Sequence, residues 1–111
     1  PGMRGLALGT AFSPPERAVG TAAQIAAVAD AVRAAMAQAG IARPADVVLA
    51  QVKAPAGSGA DAKALMARSR AAAAFGVGVA LGDIPAVRAT EGALLTDLSL
   101  YSNRASISSG V

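Results

Sequence analysis

Residues Val47–Lys53 (VVLAQVK) constrain the fold more than any other stretch of this chain. The run is apolar and β-branched, with Pro44 before it and Pro55 after it. Neither proline can continue a hydrogen-bonded ladder, so the run reads as a buried strand with Lys53 near its C-terminal end. It lies between two helical patterns. Thr21–Ala39 carries Ile25, Val28, Val32 and Met36 on one face, with Gln24, Arg33 and Gln38 off it. Thr21 suits the N-cap, Gln24 follows three residues later as in a capping box, and Gly40 is a natural stop. Beyond the strand, Ala54–Ala60 (APAGSGA) reads as a loop and Asp61 as the cap of a second, alanine-rich helix reaching Leu81. Gly76 and Gly78 weaken its far half, or allow it to pack closely on a sheet.

Met3–Phe12 reads as a strand stopped by Ser13-Pro14-Pro15. Ile84–Leu100 is ambiguous, with a short helix expected around Glu91–Leu98. Arg104–Ser108 (RASIS) alternates like a strand before a turn at Ser109-Gly110. The order β-α-β-α-β predicts an α/β (α+β) two-layer sandwich: one sheet with helices on one face, and right-handed crossovers if the strands are parallel. The other sheet face would then be bare. Pro1-Gly2 ahead of Met3 reads as a cloning scar, which leaves residues 3–111 as a single domain, a size that supports one modest core.

The chain has neither cysteine nor histidine. Disulfides and cysteine–metal sites are excluded, along with the commonest general base and transition-metal ligand. Asp30, Asp46, Asp61, Asp83, Glu91 and Asp97 show no metal-ligand spacing, so no metal is expected, and Gly76-Val77-Gly78 lacks the rest of a dinucleotide fingerprint. The net charge is +3, but the basic residues are scattered and only three aromatics accompany them. That argues against a nucleic-acid partner and for a solvated surface, or for attraction of anionic small molecules. The longest apolar run, Ala71–Leu81, is far short of the ~20 residues that span a bilayer. The N-terminus has no signal pattern, so a cytoplasmic location away from membranes is expected.

Two features remain: a lysine near a strand end, Lys53, and the Ser108-Ser109-Gly110 run after another strand. A neutral lysine can serve as base to a serine hydroxyl, provided burial or nearby positive charge lowers its pKa. A turn of small residues can aim backbone N–H groups at a developing oxyanion. Judged by composition and spacing alone, both features are more often structural than catalytic.

Several segments resemble the cyanuric acid hydrolase/barbiturase family of ring-opening amidohydrolases, and most specifically its middle repeat. They are Leu6–Phe12, Ala29–Ile41, Leu49–Pro55 (LAQVKAP), Ser69-Arg70 with Phe75–Pro85, and Leu98–Val111 (LSLYSNRASISSGV). The resemblance implies three such repeats around a pseudo-threefold axis, each giving a Lys, an Arg and a Ser to a central pocket. It implies Ser108 as nucleophile, Lys53 as its base, Ser109 as a backbone donor to a substrate carbonyl, and Arg70 as substrate ligand. It also implies a cyclic amide substrate, cyanuric acid or barbiturate, and no cofactor. The sequence departs from the family in a short Lys53–Arg70 interval, where Gly57-Ser58-Gly59 looks like a splice, and in Ala71, where a glycine is usual. Arg68 is therefore kept as the alternative ligand. The acidic residue that normally follows Ser-Ser-Gly-Val has no counterpart here.

Three readings follow. The first is one repeat of a Ser–Lys amidohydrolase, completed by its two sister repeats. The second is a catalytically silent, isolated or engineered assembly domain that forms a homotrimer. The third is a small trimeric binding or deaminase-like protein sharing this kind of sandwich.

Overall fold

A computed structural model describes residues 18–55 and 60–109. The expected Met3–Phe12 strand, the Gly57-Ser58-Gly59 link and Gly110 lie outside the described residues. Those described form, in order, α1 (Ala22–Ala39), β1 (Ala50–Ala54), α2 (Ala62–Leu81) and β2 (Ala105–Ser109), with short 3-10 turns at Pro44–Asp46, Ala86–Arg88 and Glu91–Ala93. The strands pair in parallel, Ala50 opposite Ala105 through Ala54 opposite Ser109. The fold is mixed α/β, a parallel sheet with helices packed on it, as the element order predicts.

Alanine favours both helices, and each ends on a glycine in the left-handed region, Gly40 at φ 73° and Gly82 at φ 76°. The amide two places beyond the last helical residue reaches back one turn in both: Ile41 to the Met36 carbonyl and Asp83 to the Gly78 carbonyl. At its start α1 departs from the expected capping box. The Thr21 hydroxyl donates to the Ala18 carbonyl, and the Gln24 side chain accepts from the Gly20 amide at 2.7 Å. Glu91 supplies the missing acceptor, bonding the Ala22 amide at 3.0 Å, where a carboxylate also suits the helix dipole.

The apolar face of α1 is as expected. Val28, Ala29 and Val32 pack with Ala73, Val77, Ala80, Leu81 and Ala54 in one cluster, which Val52, Ala105 and Ile107 join from the sheet. A second cluster of Ile25, Ala72, Phe75, Ile84, Leu94 and Leu100 fastens the 84–100 connection to the helices. By length and composition α2 could cross a membrane, but half of its apolar window is buried inside the fold. Gln24, expected off the buried face of α1, is fully buried because its amide is spent on hydrogen bonds.

Gly76 serves helix–helix packing and Gly78 the packing of the connection after α2, and neither, as one expectation had it, the sheet. A Cβ on Gly76 would sit 2.6 Å from Val28 Cβ and 2.8 Å from the Ile25 carbonyl oxygen. One on Gly78 would run into Ile84.

Two other expectations are corrected. The strand begins at Ala50 rather than Val47, and it is not buried on both faces: its residues alternate, and Val48 ahead of it is 79% exposed. The reason is Arg104. Its guanidinium takes the carbonyls of Pro44 at 2.6 Å and Val47 at 2.9 Å, so this backbone bonds a side chain instead of a strand. The helix expected over Glu91–Leu98 shrinks to one 3-10 turn at Glu91–Ala93. Leu95 sits at φ 61°, which ends any helix there, and Asp97 folds back to bond the amide and hydroxyl of Ser99.

Arg104 also pairs with Asp83 at 2.9 Å, and Ser102 donates to Asp83 at 2.6 Å. The hydrogen bonds from Arg104 and then Ser102 hold the Asp83 carboxyl below its ordinary value of 3.8. A depressed folded-state pKa contributes stability above the unfolded value and loses it as pH falls through the folded one. Asp83→Asn should therefore lower stability near neutrality and flatten its decline below about pH 4, read by urea midpoints across pH. Gly76→Ala should destabilise by roughly 1–3 kcal/mol, because overpacking against backbone exceeds the helix-propensity gain of about 1 kcal/mol. Gly92→Ala, with nothing within 4 Å of the added methyl, should be near neutral in the same assay.

Candidate functional site

Lys53 and Ser108 are direct partners in the parallel register. Register partners project to the same face of a sheet, so an amine and a hydroxyl stand side by side. Gln51 faces Ser106 one step earlier on the same face. All four side chains are exposed, whereas Val52, Ala54 and Ile107, on the alternate positions, pack toward the helices. The sequence had predicted a bare sheet face; among the described residues that face is bare and polar, and it carries the two residues singled out as a base–nucleophile pair.

The register that brings them together is set from below. The Ala50 amide bonds the Arg104 carbonyl at 2.7 Å, and the Arg104 side chain holds the chain leading into β1. The same guanidinium reaches the Leu81 carbonyl at the end of α2. One residue thus joins the entry of both strands to the helix layer.

The two arginines differ in kind. Arg68 is half-buried, and its guanidinium donates to the Gly20 carbonyl at 3.2 Å and the Glu91 carbonyl at 3.4 Å. It braces the start of α1 against the 91–93 turn. Arg70 is exposed and engaged in no hydrogen bond or ion pair among the described residues. Its neighbour Ser69 is fully buried and donates to the Pro55 carbonyl at 2.6 Å. That bond sets the turn of α2 bearing Arg70 against the exit of β1, two residues past Lys53. Ser109 closes β2 opposite Ala54. Sequence reasoning gave Gln24 only as a capping-box residue and Ser69 only as part of a family-like segment, and missed that the two tie these elements together. The one available signal was a glutamine at a helix start in a chain otherwise dominated by alanine.

A hydroxyl beside an amine can pass its proton to the amine when the latter is neutral, and so become a nucleophile. The adjacency can be checked in a chain that has no native cysteine. Lys53→Cys with Ser108→Cys should oxidise to one intramolecular disulfide, because neighbouring strands lie about 4.8 Å apart, within the Cα range a disulfide spans. Lys53→Cys with Ile107→Cys should keep two free thiols, because those side chains leave opposite faces. Thiol titration after mild oxidation separates the two results.

Comparison with known proteins agrees with this architecture. Residues 3–111 match the family described as amidohydrolase ring-opening protein. A cyclic amide hydrolase from a Rhodococcus species is 46% identical over 102 residues, covering 83% of this chain and 29% of that protein. A cyanuric acid amidohydrolase from Azorhizobium caulinodans is 38% identical over 123 residues, covering 96% of this chain and 35% of the relative. The crystal structure of the cyanuric acid hydrolase from A. caulinodans superposes with a TM-score of 0.84 at 37% identity, over 95% of this chain and 35% of that one. The chain thus spans about a third of the length of the relatives it matches. With the family profile matched over nearly all its residues, this chain belongs to the ring-opening amidohydrolase family.

Proposed function

We propose that residues 3–111 are one repeat, the middle one, of a three-repeat Ser–Lys amidohydrolase that opens the ring of cyanuric acid or barbiturate. The observation that carries this reading is the register pairing of Lys53 with Ser108 on the exposed sheet face. The similarity to cyanuric acid amidohydrolases supports the substrate class, and a match over about a third of their length supports the repeat. The same reading leaves Pro1-Gly2 outside the repeat and puts the parent enzyme in the cytoplasm.

In this mechanism Lys53 accepts the Ser108 proton while the serine oxygen bonds a ring carbonyl carbon. Backbone N–H groups near Ser108 and Ser109 hold the resulting oxyanion. Collapse of the intermediate breaks the ring C–N bond, and the leaving nitrogen takes the proton back from Lys53. Water then hydrolyses the acyl-serine ester with the same base. Arg70 polarises a second carbonyl of the ring. It suits this role better than Arg68, whose guanidinium is already held by two backbone carbonyls. The steps call on no metal or organic cofactor.

One repeat offers a single Lys–Arg–Ser set, and positioning of the ring can supply ~7–11 kcal/mol of barrier lowering. The chain alone is therefore a catalytically silent domain until its sister repeats, or two further copies of itself around a threefold axis, complete the pocket. Light scattering over a dilution series should reveal a trimer, with cyanurate hydrolysis following the trimer population. Ser108→Ala and Lys53→Ala should each lower kcat by on the order of a thousand-fold or more without altering assembly. Turnover at monomer mass that Ser108→Ala abolishes would contradict the need for three repeats. Turnover that survives Ser108→Ala would remove the assigned nucleophile.

A further inference from the structure

A largely buried hydrogen-bonded chain runs from Gly20 through Gln24 and Ser69, the residue before Arg70, and ends at Pro55, just past the Lys53 strand. Gln24, fully buried, accepts from the Gly20 amide at 2.7 Å through Oε1. Its Nε2 lies 3.0 Å from both the carbonyl and the hydroxyl oxygen of Ser69. The Ser69 hydroxyl in turn donates to the Pro55 carbonyl at 2.6 Å. Pro55 is two residues past Lys53, Ala54 between them is fully buried, and Ser69 directly precedes Arg70.

Apolar side chains of similar shape could fill this space with little loss of stability. Directional bonds do something packing does not: they fix the distance and angle between the exit of β1 and one turn of α2. We propose that Gln24 and Ser69 are positioning residues, which hold the Lys53 strand end and the Arg70 helical turn at the separation a cyclic amide requires. This rests on the Ser–Lys reading for its substrate, but the geometric claim stands apart from it. Arg68 anchors the far end of the chain, donating to the same Gly20 whose amide Gln24 accepts.

Ser69→Ala is the direct test. It removes the bond to Pro55 while Gln24 keeps the Ser69 backbone carbonyl as partner. Amide exchange by NMR on the 111-residue chain should speed up on the order of ten-fold at Val52, Ala54 and Ser108, whose amides lie in the β1–β2 ladder, with Val32 and Val77 in the core unchanged. Ser69→Thr, which restores the hydroxyl, should reverse this. Gln24→Met, which keeps length and loses the amide, reads the same node from its other end should the threonine methyl overfill the site. Uniform acceleration, or none, overturns the proposal.

In the form that hydrolyses cyanurate, Ser69→Ala should raise KM and lower kcat together, by on the order of ten-fold in kcat/KM, with recovery in Ser69→Thr. A fall in kcat at constant KM that matches the folded fraction would make the node structural only, and so overturn the functional part. If cyanurate is not hydrolysed by the wild type in any assembly state, the Ser–Lys reading falls, while the exchange experiment still decides whether the node fixes the strand exit.

Discussion

Parallel strands cannot be joined by a tight turn. The pairing of Ala50–Ala54 with Ala105–Ser109 therefore obliges the chain to travel the length of the sheet and return before the second strand begins. The crossover uses α2 for the return and the 84–100 connection for the remaining distance. The rest of the packing follows from that obligation. α2 must lie on the sheet, α1 must cover α2, and the long connection needs anchors of its own, which Ile84, Leu94 and Leu100 provide by filling the second cluster. The close approach of the helices is possible because Gly76 offers α1 no side chain.

The helices could be read in the sequence almost to the residue: alanine propensity, a 3.6-residue apolar period and a terminal glycine agree in Ala22–Ala39, while alanine propensity and the Asp61 cap marked Ala62–Leu81 in spite of Gly76 and Gly78. The strands and the connection could be read less well. The start of β1 depends on which groups Arg104 takes, a contact between residues some 60 positions apart that no local pattern announces. The Glu91–Leu98 stretch has helical composition. However, Glu91 caps α1 and Leu94 is drawn into the core, so tertiary bonds outweigh a weak local preference.

The candidate site shows the same division. Lys53 and Ser108 each stood out at a strand end, yet nothing in the spacing of residues 55 positions apart says that they meet. Register decides it. A slip of one residue would set Lys53 beside Ile107 or Ser109 and send one of the two side chains to the helix face. The tie between the Ala50 amide and the Arg104 carbonyl, braced by the Arg104 side chain on the lead-in to β1, excludes that slip. Arg104 was unremarkable in the sequence because its partners are mostly backbone carbonyls, which are equally present at every position.

The surface divides its labour in a way that bears on the three-repeat reading. The face that carries Gln51, Lys53, Ser106 and Ser108 is polar, so covering it would strand hydrogen-bonding groups unless a polar ligand met them. That suits a pocket better than a protein–protein contact. The large apolar side chains left in solvent are elsewhere: Val48 and Leu49 just ahead of β1, and Val87, Leu95, Leu98 and Tyr101 along the connection that leads into β2. Val48 and Leu49 precede the first residue of β1, opposite the end that bears Lys53 and Ser108. A neighbour packed against them would gain the apolar burial that drives association and leave the polar face open. On that reading the same chain segments that start the strands hold the assembly together, and the segments that end them meet the substrate.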